Sequence, residues 1–324
     1  LAEQQILPRL NELSRRRSRG SRFESMLSRN AAMWHLFELC THIAPADATV
    51  LIVGETGTGK ELLARAVHRR SSRRGRFVAA NCSSIAPELI NSELFGHRKG
   101  AFTGADRNKK GLVSHAHEGT LFLDEIGDMP LETQQNLLRM LQERQIRPVG
   151  SVEEIGVDVR VVAATNVSLD RAVEEGRFRE DLFYRLDVIR MNIPPLRERQ
   201  EDILFLFGHF TKQLAKHYGL QPPTFSDSFI DALLDYRWPG NVRQLENFSE
   251  RLVLARPRRA LTANDFEKLR TTSLADPGDQ ATEQVKSGSD KMVDISKTLD
   301  ANLEPTVEHL EHEYLRAVLE QNRG

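Results

Sequence analysis

The chain has 324 residues, a formal net charge of −1 and a hydrophobic fraction of 40%. That length carries two or more domains with room for a core. The balanced charge argues against a polyanion binder acting over its whole surface, and no run of eighteen or more apolar residues is present to span a membrane. Two cysteines, Cys40 and Cys82, give neither a disulfide framework nor a metal-binding spacing. Both read as buried thiols in a reducing cytoplasm.

In chain order, residues 1–22 read as a helical, Arg-rich connector ending in SRRRSRGSR, and the opening on Leu1 rather than Met fits a piece of a longer protein. A second Arg-dense stretch, RRSSRRGR at 69–76, reads like the first as either a solvated segment or a polyanion contact. Between 23 and 197 come ATVLIVG (48–54), RFVAANC (76–82), GTLFLDE (119–125), VRVVAATN (159–166) and DVIRMNI (187–193). These runs are short, continuous and rich in Val and Ile, which predicts strands buried on both faces of a parallel sheet. Helical patterns between them make this an α/β domain. After Pro194 and Pro195 the pattern turns wholly helical, predicting a small α domain over 198–270. Residues 271–303 are polar and rich in Gly, Ser and Asp, as a flexible linker is. Residues 304–324 carry one apolar stripe, Val307, Leu310, Tyr314, Leu315, Val318 and Leu319, so they predict a helix that needs a partner.

The chemistry gathers around GETGTGK at 54–60, which follows a predicted strand and precedes the helical ELLARAVHRR. Gly54, Glu55, Thr56, Gly57, Thr58, Gly59 and Lys60 form a phosphate-binding loop, whose glycines let backbone N–H groups wrap phosphate oxygens. Lys60 is placed to bridge the outer phosphates. The Ser or Thr that usually follows as a Mg²⁺ ligand is Glu61 here, a carboxylate able to act on the metal directly or through water. GTLFLDEIGD then sets Asp124 at a strand's end to hold Mg²⁺ through water, and Glu125 to polarise an attacking water. Asn81 closes RFVAANC, and its amide either restrains Glu125 or caps the next turn. Asn166 ends VRVVAATN at the same sheet edge, where open α/β sheets bind ligands, and is a candidate γ-phosphate sensor. Arg179 and Arg185 stand six apart, so they need not share a helix face. On spacing alone they pair with Glu180, Asp181 or Asp187. Arg243, in WPGNVRQLEN, either reaches phosphates or pairs with Glu246.

One loop has no place in a core. Gly100, Ala101, Phe102, Thr103, Gly104 and Ala105 spell GAFTGA, with Arg98, Lys99, Arg107, Lys109 and Lys110 around it. An aromatic between two glycines, among charges that want water, is badly placed for a core.

GETGTGKE, ELFGHRKGAFTGA, GTLFLDEIGDM, AATN, GRFREDLFYRLDV, IPPLRER and WPGNVRQLEN follow one another in this order. Together they resemble the AAA+ domain of bacterial enhancer-binding proteins, the NtrC-type activators of sigma-54 RNA polymerase, over about residues 23–270. The resemblance implies an AAA+ P-loop ATPase with a parallel five-stranded sheet flanked by helices, then a small all-α lid. It implies ATP and Mg²⁺ as cofactors, and a ring homo-oligomer, typically a hexamer. Glu61 is the usual residue after the Lys in that family. Asn81 becomes the switch for Glu125, Arg179 and Arg185 become fingers reaching the neighbouring subunit's ATP, and Arg243 becomes a second sensor. GAFTGA tips a loop whose Phe102 and Thr103 touch sigma-54 in the closed polymerase–promoter complex. Residues 145–160 become a hairpin beside that loop. Residues 304–324 resemble the first helix of a truncated Fis-like helix-turn-helix, so enhancer DNA is expected to bind only the full-length protein. Either a receiver, GAF or PAS domain precedes Leu1, as in a two-component system, or nothing does. Ser28 and Asn30 stand where the family often has Gly and Ser, which leaves the adenine pocket less defined. Two rival readings stand beside this one: an AAA+ remodeller with another client, against which GAFTGA argues, and a non-hydrolysing nucleotide-gated DNA-binding regulator, against which Lys60, Asp124 and Glu125 argue.

Overall fold

Branched apolar residues pointing alternately to two faces build the central sheet. The computed structural model describes residues 22–257 and 259–271. The expected connector before residue 22, the linker beyond 271 and the helix at 304–324 lie outside the described residues. Those described divide after Pro195 into two compact units.

The first unit opens with a short antiparallel pair, β1 (Arg22–Phe23) and β2 (Met26–Leu27), and helix α1 (Ala31–Ile43). Asn30 caps α1, its Oδ1 accepting from the N–H of Met33 at 3.2 Å. Asn therefore does at this position what a Ser would do. There follow β3 (Val50–Val53), α2 (Lys60–Arg69), β4 (Phe77–Asn81), α3 (Ile90–Phe95), β5 (Gly96–His97), β6 (Lys109–Lys110) and α4 (Leu112–His115). Then come β7 (Thr120–Asp124), α5 (Leu131–Glu143), β8 (Gln145–Ile146), β9 (Ile155–Gly156), β10 (Arg160–Thr165), α6 (Leu169–Glu174), α7 (Glu180–Leu186) and β11 (Ile189–Asn192). Five of these strands form one wholly parallel sheet in the order β11-β3-β10-β7-β4. They are the five apolar runs read from the sequence.

Alternation explains why both faces are covered. Val50, Ile52, Phe122, Val162 and Ala164 join Phe37, Leu63 and Val67 of α1 and α2 in one core. Leu51, Leu121, Leu123, Val161 and Ala163 join Leu94, Leu137 and Leu182 of α3, α5 and α7 in the other. Arg160, only 2% exposed, opens β10 and donates to the carbonyls of Ile43, Ala44 and Ala48. A cation at the end of α1 satisfies carbonyls the helix leaves over and complements its dipole.

The second unit holds α8 (Gln200–Tyr218), α9 (Asp227–Asp235), α10 (Asn241–Leu254) and α11 (Ala263–Thr271). Its core is aromatic: Phe207, Phe229, Trp238, Phe248 and Phe266 touch one another in edge and offset contacts. Within WPGN, Trp238 and Asn241 both take positive φ. The turn is anchored by the Trp238 indole N–H donating to Leu233 O at 3.0 Å and by Asn241 Oδ1 accepting from Leu196 N at 2.8 Å. No helix among the described residues is long and apolar enough to cross a membrane.

Candidate functional site

The loop 54–59 joins the carboxyl end of β3 to the amino end of α2. Gly57 and Gly59 take φ of 78° and 101°, values a side chain resists, so the wrapped path needs glycine there. A Cβ on Gly54 would press on Ile193 O and Thr58 Oγ1, both at 3.1 Å. Thr58 Oγ1 donates to Glu55 O at 2.7 Å and stiffens the loop. Lys60, 7% exposed, folds back across it, its Nζ donating to Gly54 O at 2.9 Å and reaching Glu55 O at 3.4 Å. Glu61 turns along the helix and pairs with Arg65 at 2.6 Å.

The acids stand at the same edge of the sheet. Register sets Asn81 of β4 beside Asp124 of β7. Burial raises the Asp124 carboxyl above its ordinary value, and the nearby Lys60 ammonium is the chief influence pulling it down. Glu125 follows in the left-handed region, φ 51°, its N–H donating to Asp124 Oδ1 at 3.0 Å. Strained backbone of this kind, at about 1–3 kcal/mol, clusters at functional sites. Asn166 continues the edge: its Nδ2 donates to Thr56 Oγ1 at 3.2 Å, tying the end of β10 to the phosphate-binding loop.

Two of the sequence readings take a particular form. Asn81 Oδ1 accepts from Ser83 N at 2.9 Å and Ser84 N at 3.2 Å, as a turn cap does. The Glu125 carboxylate meets the hydroxyl of Ser83 instead. Ser83 is a site residue that sequence reasoning missed. The one signal was the Ser-Ser pair after Asn81, which reads as an ordinary turn. Arg179 forms a two-pronged pair with Asp181, at 3.0 and 2.7 Å, one of the partners its spacing allowed. Arg185 donates to Leu141 O at 3.0 Å and borders a cavity of about 210 Å³ with Asp47, Arg144 and Arg160. Those neighbours mark the amino ends of the strands, away from the phosphate-binding loop of the same chain. Arg243 is exposed in the first turn of α10, in the second unit.

The GAFTGA loop closes on itself. Gly100 N donates to Ala105 O at 2.8 Å, and Gly100 and Gly104 take φ of 82° and 98°. Phe102 is 38% exposed, with its ring edge-on to His97 at 5.0 Å, while Ala105 is buried. His97 is fixed in turn by Ser92 Oγ at 2.7 Å. The expected hairpin beside this loop is β8 with β9. Val149 from its loop exchanges backbone hydrogen bonds with Gly96 and Arg98, at 2.9 and 3.0 Å. Both cysteines are buried, and burial pushes the Cys40 thiol up to about 11 and the Cys82 thiol up to about 12. Thiols so shifted are unreactive.

The family described as the sigma-54 interaction domain matches residues 26–192, and the AAA+ ATPase lid domain matches residues 197–283. The DNA-binding transcriptional regulator NtrC of Rhizobium meliloti is 44% identical over 280 residues, 86% of this chain and 57% of that protein. The transcriptional regulatory protein ZraR of Escherichia coli K12 is 49% identical over 230 residues, 71% of this chain and 52% of that one. The chain thus spans about half the length of these relatives. A crystal structure of NtrX from Brucella abortus in complex with ATP superposes with a TM-score of 0.69 at 38% identity, covering 82% of this chain and 63% of that one. Another, in complex with ADP, gives 0.68, 38%, 82% and 59%. The chain belongs to the sigma-54 interaction domain family, the AAA+ ATPase module with its helical lid found in sigma-54-dependent transcriptional regulators.

Proposed function

We propose that this chain is a mechanochemical ATPase that contacts sigma-54 through residues 100–105 and remodels the closed polymerase–promoter complex. The observation that carries the reading is one sheet edge holding Lys60, Asp124, Glu125 and Asn166, with Asn166 bonded to the loop itself. ATP would lie on 54–61, with Lys60 countering phosphate charge and Asn166 positioned to sense the γ-phosphate. Glu125 accepts the proton of the attacking water. Mg²⁺ is held by one or two carboxylates together with substrate phosphates, not by an all-protein cage. Asp124 would hold it through water, with Glu61 available once Arg65 releases it, and bound Mg²⁺ would neutralise charge developing on the phosphates.

A ring homo-oligomer, typically a hexamer, completes the site. Arg179 and Arg185 would reach the neighbouring subunit's ATP, and Arg243 would add a second sensor from the lid. Such a ring presents several GAFTGA loops at once, multiplying a weak single contact through Phe102 and Thr103. Enhancer DNA would be bound only by the full-length protein, and a two-component signal would act only through a sensory domain outside this chain. The test is gel filtration of this chain with sigma-54, with and without ADP and aluminium fluoride, which mimic the hydrolysis transition state. Co-elution as a ring-sized complex only with the analogue supports assembly and client together. A ring that elutes without sigma-54 removes the proposed grip, and no ring removes the trans role of the arginines.

A further inference from the structure

The turn after β4 contains one more donor than Asn81 has room for. A side-chain carbonyl oxygen offers two lone pairs. Those of Asn81 Oδ1 face the N–H groups of Ser83 and Ser84, at 2.9 and 3.2 Å. The Ser83 hydroxyl lies 2.8 Å from the same oxygen and also touches Glu125 Oε2. It has a single proton to give. With Asn81 already served, and with a carboxylate making the stronger charge-assisted bond, the proton goes to Glu125. The rest of Glu125 has little freedom, because its backbone is held at φ 51° and its N–H is bonded to Asp124. The carboxylate is therefore the part that can change partner, and Ser83 holds it.

We propose that Ser83 is a positioning residue that restrains Glu125, linking the Asn81 turn to the carboxylate and keeping it from water until the hydroxyl turns away. This rests on the ATPase reading above. While Ser83 donates to Oε2, it holds the carboxylate in one orientation, so that turning to meet the attacking water costs that hydrogen bond. When one of the two N–H groups leaves Asn81 Oδ1, rotation of the hydroxyl towards that oxygen breaks one hydrogen bond, forms another and frees Glu125, with no proton transferred. Asn81 thus acts on Glu125 through Ser83, and any shift of the turn that draws the N–H of Ser83 or Ser84 off Asn81 Oδ1 makes room there for the hydroxyl and releases the base.

The experiment compares the full chain with Ser83→Ala and Ser83→Thr in steady-state ATP hydrolysis without sigma-54. Ser83 is exposed, so its truncation opens no cavity. Melting curves of all three proteins check that the fold is kept. Ser83→Ala is expected to raise kcat by about 3- to 10-fold, the difference between a hydrogen bond to a charged group and one to a neutral oxygen, with KM within about twofold. Ser83→Thr, which keeps the hydroxyl, is expected to return kcat to that of the unmodified chain. An unchanged or lowered kcat in Ser83→Ala overturns the restraint, as does a Thr variant that behaves like Ala. If the unmodified chain hydrolyses no ATP, the ATPase reading itself falls, and the restraint falls with it. Hydrolysis by the unmodified chain with no response to Ser83→Ala removes the restraint alone.

Discussion

Asp124 and Gly59 are held in conformations or charge states that folding alone would not choose. The Asp124 carboxyl is raised above its ordinary 3.8 because burial outweighs the attraction of Lys60. Its folded pKa therefore lies above its unfolded one. Its contribution to stability is full below the unfolded value and is lost as pH rises through the folded value. At neutral pH the ionised group is a cost, and Asp124→Asn removes the charge while keeping an oxygen for the Glu125 N–H. That variant is expected to melt higher than the unmodified chain at pH 7, with the gap closing as pH falls towards 4, and to lose ATP hydrolysis. Melting curves across that range check it, and a lower melting point at pH 7 would refute the account. Gly59 makes a simpler case. Its φ is 101° and a Cβ there would meet the side-chain ends of Met26 at 3.4 Å and Leu62 at 4.0 Å, ordinary contacts, so space is available but the backbone is not. Gly59→Ala is expected to cost about 1–2 kcal/mol in urea unfolding, and to weaken binding of a fluorescent ATP analogue more than this cost alone explains.

Among the elements, the GAFTGA loop and the β8–β9 hairpin form one device. Phe102 rests its edge on His97, a pair worth about 0.5–1.5 kcal/mol, and the Val149 backbone joins the hairpin to the loop's base. So small a hold is easily released. Phe102→Ala is expected to leave melting within a few degrees and ATP hydrolysis within about twofold, while abolishing co-elution with sigma-54. If hydrolysis collapses with it, the loop serves the catalytic site and not the client. Gly150, with φ 73° and a Cβ that would lie 2.7 Å from that of Ala101, packs directly against the GAFTGA loop. Gly150→Ala is expected to push the two loops apart and to speed proteolytic cutting near 100–105. The five sheet strands and the loop 54–60 were legible in the sequence for local reasons, since burial on both faces writes continuous apolar runs and a wrapped phosphate loop writes its glycines. Ser83 was not legible, because its contact with Glu125 exists only through the register of β4 on β7, which pairs segments about forty residues apart. The Phe102–His97 contact was hidden for a related reason: the sequence marked the loop as unfit for a core without showing the ring beneath it. Spacing left Arg179 three acidic partners, and only its place just ahead of α7, with Asp181 in the first turn, selects one.

For the molecule as a whole, the open question is which site Arg185 serves. It donates to Leu141 O beside Asp47, Arg144 and Arg160, at the amino ends of the strands, whereas 54–60, Asp124, Glu125 and Asn166 stand at the carboxyl ends. A sheet strand of four to six residues separates the two ends, roughly 13–20 Å at about 3.3 Å per residue. An arginine does not span that distance, so Arg185 either supports its own fold or acts on another subunit. Tyr184 and Val188 flank it, 68% and 56% exposed, apolar surface that a neighbouring subunit would cover. Two individually inactive variants decide between these roles. Glu125→Gln keeps Arg185 and loses the base, and Arg185→Ala keeps the base and loses the arginine. Each alone is expected to hydrolyse ATP about 10³-fold more slowly or worse. If the arginine acts in trans, mixing them restores some activity, because an intact Glu125 in one subunit then meets an intact Arg185 in the next. Activity should peak at an intermediate mixing ratio and fall at both extremes, a curve that steady-state hydrolysis at fixed total protein measures directly. A flat curve at the level of the single variants would assign Arg185 to its own chain, as a strut beneath α5.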